Sequence, residues 1–348
     1  MADSTSPDDS EKETDKSGFL ILPIFITEPA VGQGLGLALV YFHEQKESRK
    51  ATTARNFGQT GRRTKPPPTA TGVFAFKTNE DSEGVGIGHT RTFADDTYRF
   101  TGAAMDALIN TKIYLGDQPF KFSLQGNAVY AALKRRLADS NVFAGLSNSI
   151  VAADVDFNIE SEDPGLRDFS FTDVGVAASI VYDAIDDSML PNSGQLVDLS
   201  VWRYDGAFGG DFDYWKTKLD AKSYHQLSTR FVLAFRFDVA TADGDVPFFA
   251  EPFVSLRGIP ALRYQGESAG ALEVSGRLNI SEKIAAFAFA GTGFANARPP
   301  AVDTQDDIRT VGFGFRYQVL REQNAWIGID AAQGPEETYY YLQIGQGW

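Results

Sequence analysis

Five residues at the junction of two predicted strands include three carboxylates, which carry out chemistry in other proteins. They are Asp183, Asp186, Asp187, Pro191 and Gly194. Clustered carboxylates can bind Ca²⁺ or form an acid–base pair, but the residue order here is not that of an EF-hand loop. Asp, Pro and Gly also satisfy turn amides and set turn dihedrals. We therefore interpret the segment as a structural turn.

The composition excludes most other kinds of site. The chain has 348 residues, no Cys and three widely separated histidines, His43, His89 and His225. Thiol nucleophiles and Cys-ligated metals are thereby excluded, and little remains for a His-based metal site or a Ser/His/Asp triad. The net charge of −14 argues against nucleic-acid binding, which needs clustered Lys and Arg. We expect the protein to have no enzymatic activity and to bind no metal and no cofactor.

The elements that would position any site are β-strands, because apolar residues recur with a period of two. In the segment 231–239, the apolar residues Phe231 to Val239 at odd positions share one face, and Arg236 and Asp238 share the other. The same pattern predicts sixteen strands: 19–26, 33–43, 71–79, 84–93, 97–109, 119–134, 142–158, 170–183, 194–204, 212–226, 230–240, 269–280, 283–294, 308–319, 325–332 and 338–348.

Most of these strands have a charged or small face opposite an apolar face. The charges on the predicted inner faces include Lys216, Lys218, Lys222, Arg236 and Arg277. An apolar outside and a polar inside, over an even number of strands, is typical of transmembrane barrels, and a sheet crosses a membrane only if it closes. The sequence predicts an all-β protein, a closed antiparallel 16-stranded transmembrane β-barrel over residues 19–348. A soluble β-sandwich is the alternative.

Three segments stand apart from the strand pattern. Residues 1–18 are polar and acidic, lack the apolar region of a signal peptide and are expected to be disordered. Residues 44–70 are basic and contain three consecutive prolines, so they could contact a partner, anionic lipid or peptidoglycan, or serve as a linker. The chain end resembles the signal by which the barrel-assembly machinery recognises outer-membrane barrels; its residues are Tyr340, Leu342, Ile344 and Trp348.

Four motifs follow one another in a defined order between residues 170 and 300. They are a turn ending Pro191-x-x-Gly194, a strand containing Leu219-Asp220, the run Pro247-Phe248-Phe249, and Leu256-Arg257-Gly258. Their order and spacing resemble the barrel of the BamA/TamA family, also called the bacterial surface antigen superfamily. The soluble POTRA modules of that family are absent from this sequence.

The resemblance implies that the long extracellular loop, residues 241–268, folds back into the barrel. Leu256, Arg257 and Gly258 would form its tip, with Arg257 meeting carboxylates of the inner wall, because a buried guanidinium must be paired. The family's wall motif Phe-x-Asp-x-Gly reads Phe289-Ala-Gly291-Thr-Gly293 here, and Ile259 replaces a usual aromatic residue. We therefore expect Glu273 or Asp220 to pair with Arg257. The alternative is an exposed arginine on an external loop.

The resemblance also implies a place and a function. The barrel would lie in the lipid of the bacterial outer membrane, with the turn around residues 183–194 in the periplasm. It would take part in insertion or translocation of outer-membrane proteins, or in lipid and envelope assembly, together with a client protein or periplasmic partner. Its exit would be the seam between the first and last strands, where Pro23 cannot donate to a ladder. A passive pore and a structural surface antigen remain alternatives.

Overall fold

The structure is a computed structural model that describes residues 18–28, 30–43, 67, 69–115, 118–157, 168–296, 305–320 and 325–346. Nearly all of the predicted disordered segment 1–18 and most of the basic segment 44–70 lie outside these residues. Trp348, the last residue of the predicted insertion signal, also lies outside them.

Sixteen strands account for most of the described chain. They are β1 (Gly18–Ile26), β2 (Gly34–Phe42), β3 (Ala70–Thr78), β4 (Glu83–Phe93), β5 (Tyr98–Leu115), β6 (Gln118–Arg136), β7 (Val142–Asp156), β8 (Phe169–Asp183), β9 (Gly194–Tyr204), β10 (Tyr214–Gln226), β11 (Phe231–Gly244), β12 (Ser268–Asn279), β13 (Ile284–Asn296), β14 (Gln305–Leu320), β15 (Ala325–Gln333) and β16 (Thr338–Ile344).

The predicted number of strands is confirmed, but several predicted ends are wrong. The ladder of β5 and β6 continues to Leu115 and Gln118, because the polar residues 110–112 pair with strand residues of β6 instead of forming a turn. β11 extends to Gly244, so the long loop runs from 245 to 267. β16 ends at Ile344 and not at residue 348.

Each strand pairs with the next in antiparallel register, so the sheet order from β1 to β16 is the chain order. In the described residues, no ladder joins β1 to β16. The backbone N–H of Leu342 on β16 instead donates to the Oγ1 atom of Thr27, directly after β1, at 3.4 Å. This single bond marks the seam of the barrel.

The strands have an apolar outer face and a small or polar inner face, as β14 shows. On the outer face, Val311, Phe313 and Phe315 are 57%, 60% and 55% exposed. Arg316, the next residue along the strand, is on the inner face and is 1% exposed. An outer surface covered by apolar side chains is suited to lipid. The described residues include no helix long and apolar enough to cross a membrane.

The barrel has two different ends. We call the end that carries the 245–267 loop the upper end, and the end that carries the 184–193 turn the lower end. Buried side chains lie inside the barrel, where strand residues pack against these two segments. In the upper half, the buried side chains include Val254, Leu256 and Ile259 of the loop. In the lower half, Leu190 of the turn packs with Phe287 and Trp326.

Candidate functional site: the loop inside the barrel

The 245–267 loop is a folded hairpin. The N–H of Val254 donates to the carbonyl of Tyr264 at 2.9 Å, and the N–H of Gly266 donates to the carbonyl of Pro252 at 3.0 Å. A turn at the tip is closed by the N–H of Ile259, which donates to the carbonyl of Leu256 at 3.1 Å. These bonds give the loop its own backbone structure, so the tip can be presented to the barrel wall as a defined surface.

Arg257 at the tip is buried against two carboxylates of the wall. Its Nη1 atom donates to Oδ2 of Asp330 on β15 at 2.8 Å, and its Nη2 and Nε atoms donate to the carboxylate of Glu273 on β12. The guanidinium carbon lies 3.4 Å from the ring centre of Phe289 on β13. Since a planar guanidinium can serve two carboxylates and a ring face at once, Arg257 fixes the tip to three strands.

Asp330 also binds a second buried arginine, Arg316 on β14. Nη1 and Nη2 of Arg316 lie 2.5 and 2.9 Å from Oδ1 and Oδ2 of Asp330. Arg316 further donates to the carbonyls of Gly345 and Gln346, just after β16. Two arginines therefore face two carboxylates, so the buried charges Arg257, Arg316, Glu273 and Asp330 balance. A balanced and hydrogen-bonded group is the form in which charges tolerate burial.

Glycines in the wall make room for this arrangement. A Cβ atom on Gly291 would lie 2.8 Å from Leu256, and one on Gly293 would lie 2.5 Å from Val254. A Cβ atom on Gly314 would lie 1.8 Å from Oδ1 of Asp330. The two β13 glycines therefore form the surface on which the loop packs, whereas Gly314 opens the space for the carboxylate that pairs with Arg257.

Of the two partners predicted for Arg257, the structure supplies Glu273, and the prediction for Asp220 is wrong. The carboxylate of Asp220 lies 3.3 Å from Lys222 and 3.8 Å from Arg236, because β10 faces a different part of the loop. Asp330 was not among the predicted partners. Its only signal is an acidic residue at an inward position of an otherwise apolar strand, between Ile329 and Ala331.

The other predicted inward charges lie along the same wall, and two of them hold the loop. Lys216 donates from Nζ to the carbonyl of Ala250 at 2.8 Å. Arg236 donates from Nη1 to the carbonyl of Ser255 at 2.9 Å and lies 2.8 Å from Asp238. Lys218 is exposed. The loop is thus bound to the wall by β10 and β11 as well as by β12 and β15.

The loop also reaches the far side of the barrel through aromatic side chains. Phe248 packs edge-on against Phe122 of β6, with ring centres 5.1 Å apart, and Phe249 stacks on Phe171 of β8 at 4.4 Å. Since β6 and β8 lie across the barrel from β15, the loop spans the lumen instead of lining one side of it.

The tip of the loop contacts both strands of the seam. The N–H of Gly258 donates to the hydroxyl oxygen of Tyr341 on β16 at 2.9 Å. The N–H of Ala261 donates to Oε1 of Glu28, the second residue after the end of β1, at 2.9 Å. Burial raises the pKa of Glu28 by more than its backbone donors Ala261 and Ala30 lower it. Four residues of the tip therefore connect the first and last strands.

Side chains of the predicted lower turn accept hydrogen bonds from the backbone N–H groups of the same turn. This arrangement agrees with a structural role. Asp186 accepts from the N–H groups of Asn192 and Ser193, and Asp187 accepts from those of Met189 and Leu190. Asp183, at the end of β8, lies 2.5 Å from Arg99 of β5. Gly194 has a φ of +110°, a conformation that favours glycine.

The lower turn folds inward, where Arg277 holds it. Nη1 of Arg277 donates to the carbonyl of Pro191 at 2.9 Å, and Nη2 donates to the side chain of Asn192. Leu190 of the same turn is 6% exposed. The barrel interior is therefore occupied from both ends, by the loop above and by the turn below.

The described part of the predicted insertion signal lies on one face of β16. Tyr340 is exposed, and Leu342 pairs with the outward-facing Ile329. Ile344 is the last residue of the strand. Tyr340 and Leu342 therefore face outward, beside the seam.

Comparisons with known proteins agree with this architecture. A profile of the Omp85 superfamily domain matches residues 46–258. A search of curated proteins by sequence gave no significant match.

Solved structures with the same fold include BamA from Haemophilus ducreyi lacking POTRA domains 1–3, at 13% identity and a TM-score of 0.64. This comparison covers 94% of the present chain and 70% of that chain. CdiB from Acinetobacter baumannii matches at 9% identity and a TM-score of 0.58, and CdiB from Escherichia coli at 10% and 0.62. Each CdiB match covers 94% of the present chain but only 59% and 62% of the respective CdiB chain.

The superfamily profile covers more than half of the chain and ends at the loop-tip glycine. The fold adds sixteen antiparallel strands, an apolar outer face and a loop pinned inside by an arginine. The chain belongs to the Omp85 superfamily of bacterial outer-membrane β-barrel proteins.

Proposed function

We propose that this barrel inserts or translocates outer-membrane polypeptides through the seam between β1 and β16, without enzymatic chemistry. In the orientation we propose, the upper end faces the exterior and the lower end faces the periplasm. The barrel is surrounded by outer-membrane lipid. Its partners are a client polypeptide, the barrel-assembly machinery and a periplasmic component.

The observation that carries the proposal is the seam. Each of the other fifteen pairs of neighbouring strands is joined by an antiparallel ladder, whereas β1 and β16 are linked in the described residues by one 3.4 Å bond between Leu342 and Thr27. A strand edge with unpaired N–H and C=O groups is a template for another strand. Pro23 in β1 also has no N–H group to donate to a ladder.

The loop supports the same proposal. A barrel that spans the membrane only as a passive pore needs an unobstructed interior, whereas this interior is crossed by a loop that is bound to several strands. The same loop touches both seam strands through Tyr341 and Glu28. An occupied lumen with an unpaired wall edge favours a lateral exit for a client.

A disulfide across the seam tests the proposal. The chain has no native Cys, so the double variant Thr27→Cys/Leu342→Cys introduces the only thiols. The refolded protein in liposomes is supplied with an unfolded eight-stranded outer-membrane barrel, and client folding is followed by its heat-modifiable mobility on gels. The expected result is that the oxidised variant loses the acceleration of client folding and that reduction restores it.

A second cysteine pair provides the control. Phe25→Cys/Leu35→Cys joins β1 and β2, which are already paired, so oxidation should leave client folding unchanged. If the native protein does not accelerate client folding, or if the seam-locked variant accelerates it as well as the native protein, lateral insertion is wrong. Large, steady, ohmic steps of the native protein in a planar bilayer would favour the passive pore.

A further inference from the structure

Four basic side chains lie on the outer surface of the barrel near its lower end. We call them the basic patch: His43, His89, Arg91 and Arg135. His89 and Arg91 follow Val85 and Ile87 along the outward face of β4, and both of those residues are exposed. Arg135 lies on the same face of β6 as the exposed Leu133. The basic patch therefore faces the lipid and not the lumen.

The two guanidiniums of the patch are separated by a stacked pair of rings. The guanidinium carbon of Arg91 lies 5.7 Å from the ring centre of Phe93, and that of Arg135 lies 5.9 Å from the ring centre of Tyr98. The two rings stack with centres 5.3 Å apart and an interplanar angle of 12°. Each ring thus lies within cation–π distance of one of the two cations.

These two arginines differ from five arginines inside the barrel. Arg99, Arg136, Arg236, Arg257 and Arg316 each lie within salt-bridge distance of a carboxylate. Across the part of the chain that the structure describes, Arg91 and Arg135 make no ion pair. The outer surface thus presents two cations whose charge no carboxylate of the described chain neutralises.

The two histidines add hydrogen-bond donors to the same surface. The Oγ1 atom of Thr71 lies 2.8 Å from Nε2 of His43 and 2.8 Å from Nδ1 of His89. A hydroxyl has one proton, so it can donate to one imidazole and must accept from the other. When both rings are neutral, the ring that accepts from Thr71 keeps its own N–H for a ligand on its other nitrogen.

The depth of the patch matches the headgroup level of a membrane. Arg91 is two residues from the end of β4 and Arg135 is one residue from the end of β6, which corresponds to about 3–7 Å along a strand. Ile87, Val129 and Leu133 on the same faces are apolar and lie farther from the lower end. Aromatic rings and basic side chains occupy the interface between hydrocarbon and water in membrane barrels.

We propose that the basic patch is a binding site for the headgroup of an anionic phospholipid. The lipid belongs to the leaflet at the lower end, which is the periplasmic leaflet in the orientation above. Its phosphodiester would accept hydrogen bonds from one guanidinium of the patch, because a planar guanidinium binds phosphate oxygens bidentately, and the second guanidinium would attract the same negative charge. The imidazole donors of His43 and His89 bind a second headgroup oxygen. Binding at this site is independent of client insertion.

Lipid retention by the full-length refolded protein tests the site. The protein in dodecylmaltoside micelles receives an equimolar mixture of dioleoyl phosphatidylglycerol and dioleoyl phosphatidylcholine, and retained lipid is counted by native mass spectrometry. The native protein is expected to retain phosphatidylglycerol in preference to phosphatidylcholine. Arg91→Gln/Arg135→Gln is expected to reduce that preference by roughly fivefold for each cation removed. His43→Gln/His89→Gln should give a smaller reduction.

The matched control removes two exposed basic residues from other lower turns, Arg230→Gln/Lys283→Gln. It loses the same charge and should keep the native preference. Equal retention of both lipids by the native protein, or an equal loss of preference in the control, would overturn the proposal. Displacement of phosphatidylglycerol by inorganic phosphate at equal concentration would identify an ion site instead and also overturn it. If the double variant does not refold, each single variant carries the same test.

Discussion

Arg257 and Asp330 are 73 residues apart in sequence, and their Nη1 and Oδ2 atoms lie 2.8 Å apart inside the barrel. One residue belongs to the tip of a loop and the other to the strand before last. Asp330 simultaneously binds Arg316, which in turn holds the carbonyls that follow β16. The position of the loop and the end of the chain are thus connected through one carboxylate.

Replacing Arg257 by Ala should release the loop tip. Glu273 and Asp330, which are 1% and 0% exposed in the native protein, would lose the loop cation, and breaking a buried pair from one side costs about 3–5 kcal/mol. We expect a lower urea midpoint, measured by heat-modifiable mobility, and larger currents in a planar bilayer. Arg309→Ala is the control, since its pair with Asp307 is exposed. Identical midpoints for the two variants would show that Arg257 does not pin the loop.

Gly314→Ala should disturb the same charges without replacing any of the charged residues. The new Cβ atom would lie 1.8 Å from Oδ1 of Asp330, so the carboxylate must move away from Arg316 and Arg257. We expect a loss of stability close to that of Asp330→Asn. Gly88→Ala is the matched strand control, because its nearest neighbouring atom is 3.9 Å away. A native urea midpoint for Gly314→Ala would contradict this geometry.

Glu28→Gln should raise stability at neutral pH. Burial raises the pKa of Glu28 above its ordinary value, so the protonated form is favoured in the folded protein. The stabilising contribution is complete below the ordinary pKa of about 4.5 and is lost as the pH rises through the raised pKa. Glutamine stays neutral and can still accept from Ala261. The measurement is the thermal midpoint of both proteins between pH 4 and pH 8.

Asp205→Asn provides the opposite pH dependence as a control. The N–H of Ala207 and the guanidinium of Arg203 lower the pKa of Asp205, so its contribution is present at neutral pH and is lost as the pH falls. The difference between native protein and Asp205→Asn should therefore shrink towards low pH. The difference for Glu28→Gln should shrink as well, but with the variant being the more stable protein. A Glu28→Gln variant that is less stable than the native protein at pH 7.5 would refute the raised pKa of Glu28 as the cause of the pH dependence.

Arg277→Ala should open the lower end of the barrel. Arg277 holds the carbonyl of Pro191 and the side chain of Asn192 inside the lumen, so its loss frees the turn. In planar bilayers, deletion of residues 250–266 should raise the conductance only partly, and addition of Arg277→Ala should raise it further. Arg230→Gln on the same deletion background is the control. If the deletion alone already gives the full conductance, the turn does not obstruct the lumen.

The sequence by itself determined the number of strands and the orientation of their faces. Alternation with a period of two is a local property, so apolar outer positions such as Phe313 and charged inner positions such as Arg236 can be assigned without tertiary information. The need for a carboxylate opposite a buried Arg257 is equally general, and of the two partners predicted, Glu273 and Asp220, Glu273 pairs with it. Strand ends depend on pairing as well as on the local pattern, as β5 shows, because its polar residues 110–112 pair with β6.

Only the tertiary structure decided which distant residues meet. The pairing of Arg257 with Asp330 depends on the register of β12, β13, β14 and β15 together, and the sequence of one strand contains no information on that sum. The His43–Thr71–His89 contact arises in the same way, from registers across three strands. The seam depends on closure of the whole sheet. Side-chain periodicity is set within a strand, whereas contacts between strands are set by all the registers that separate them.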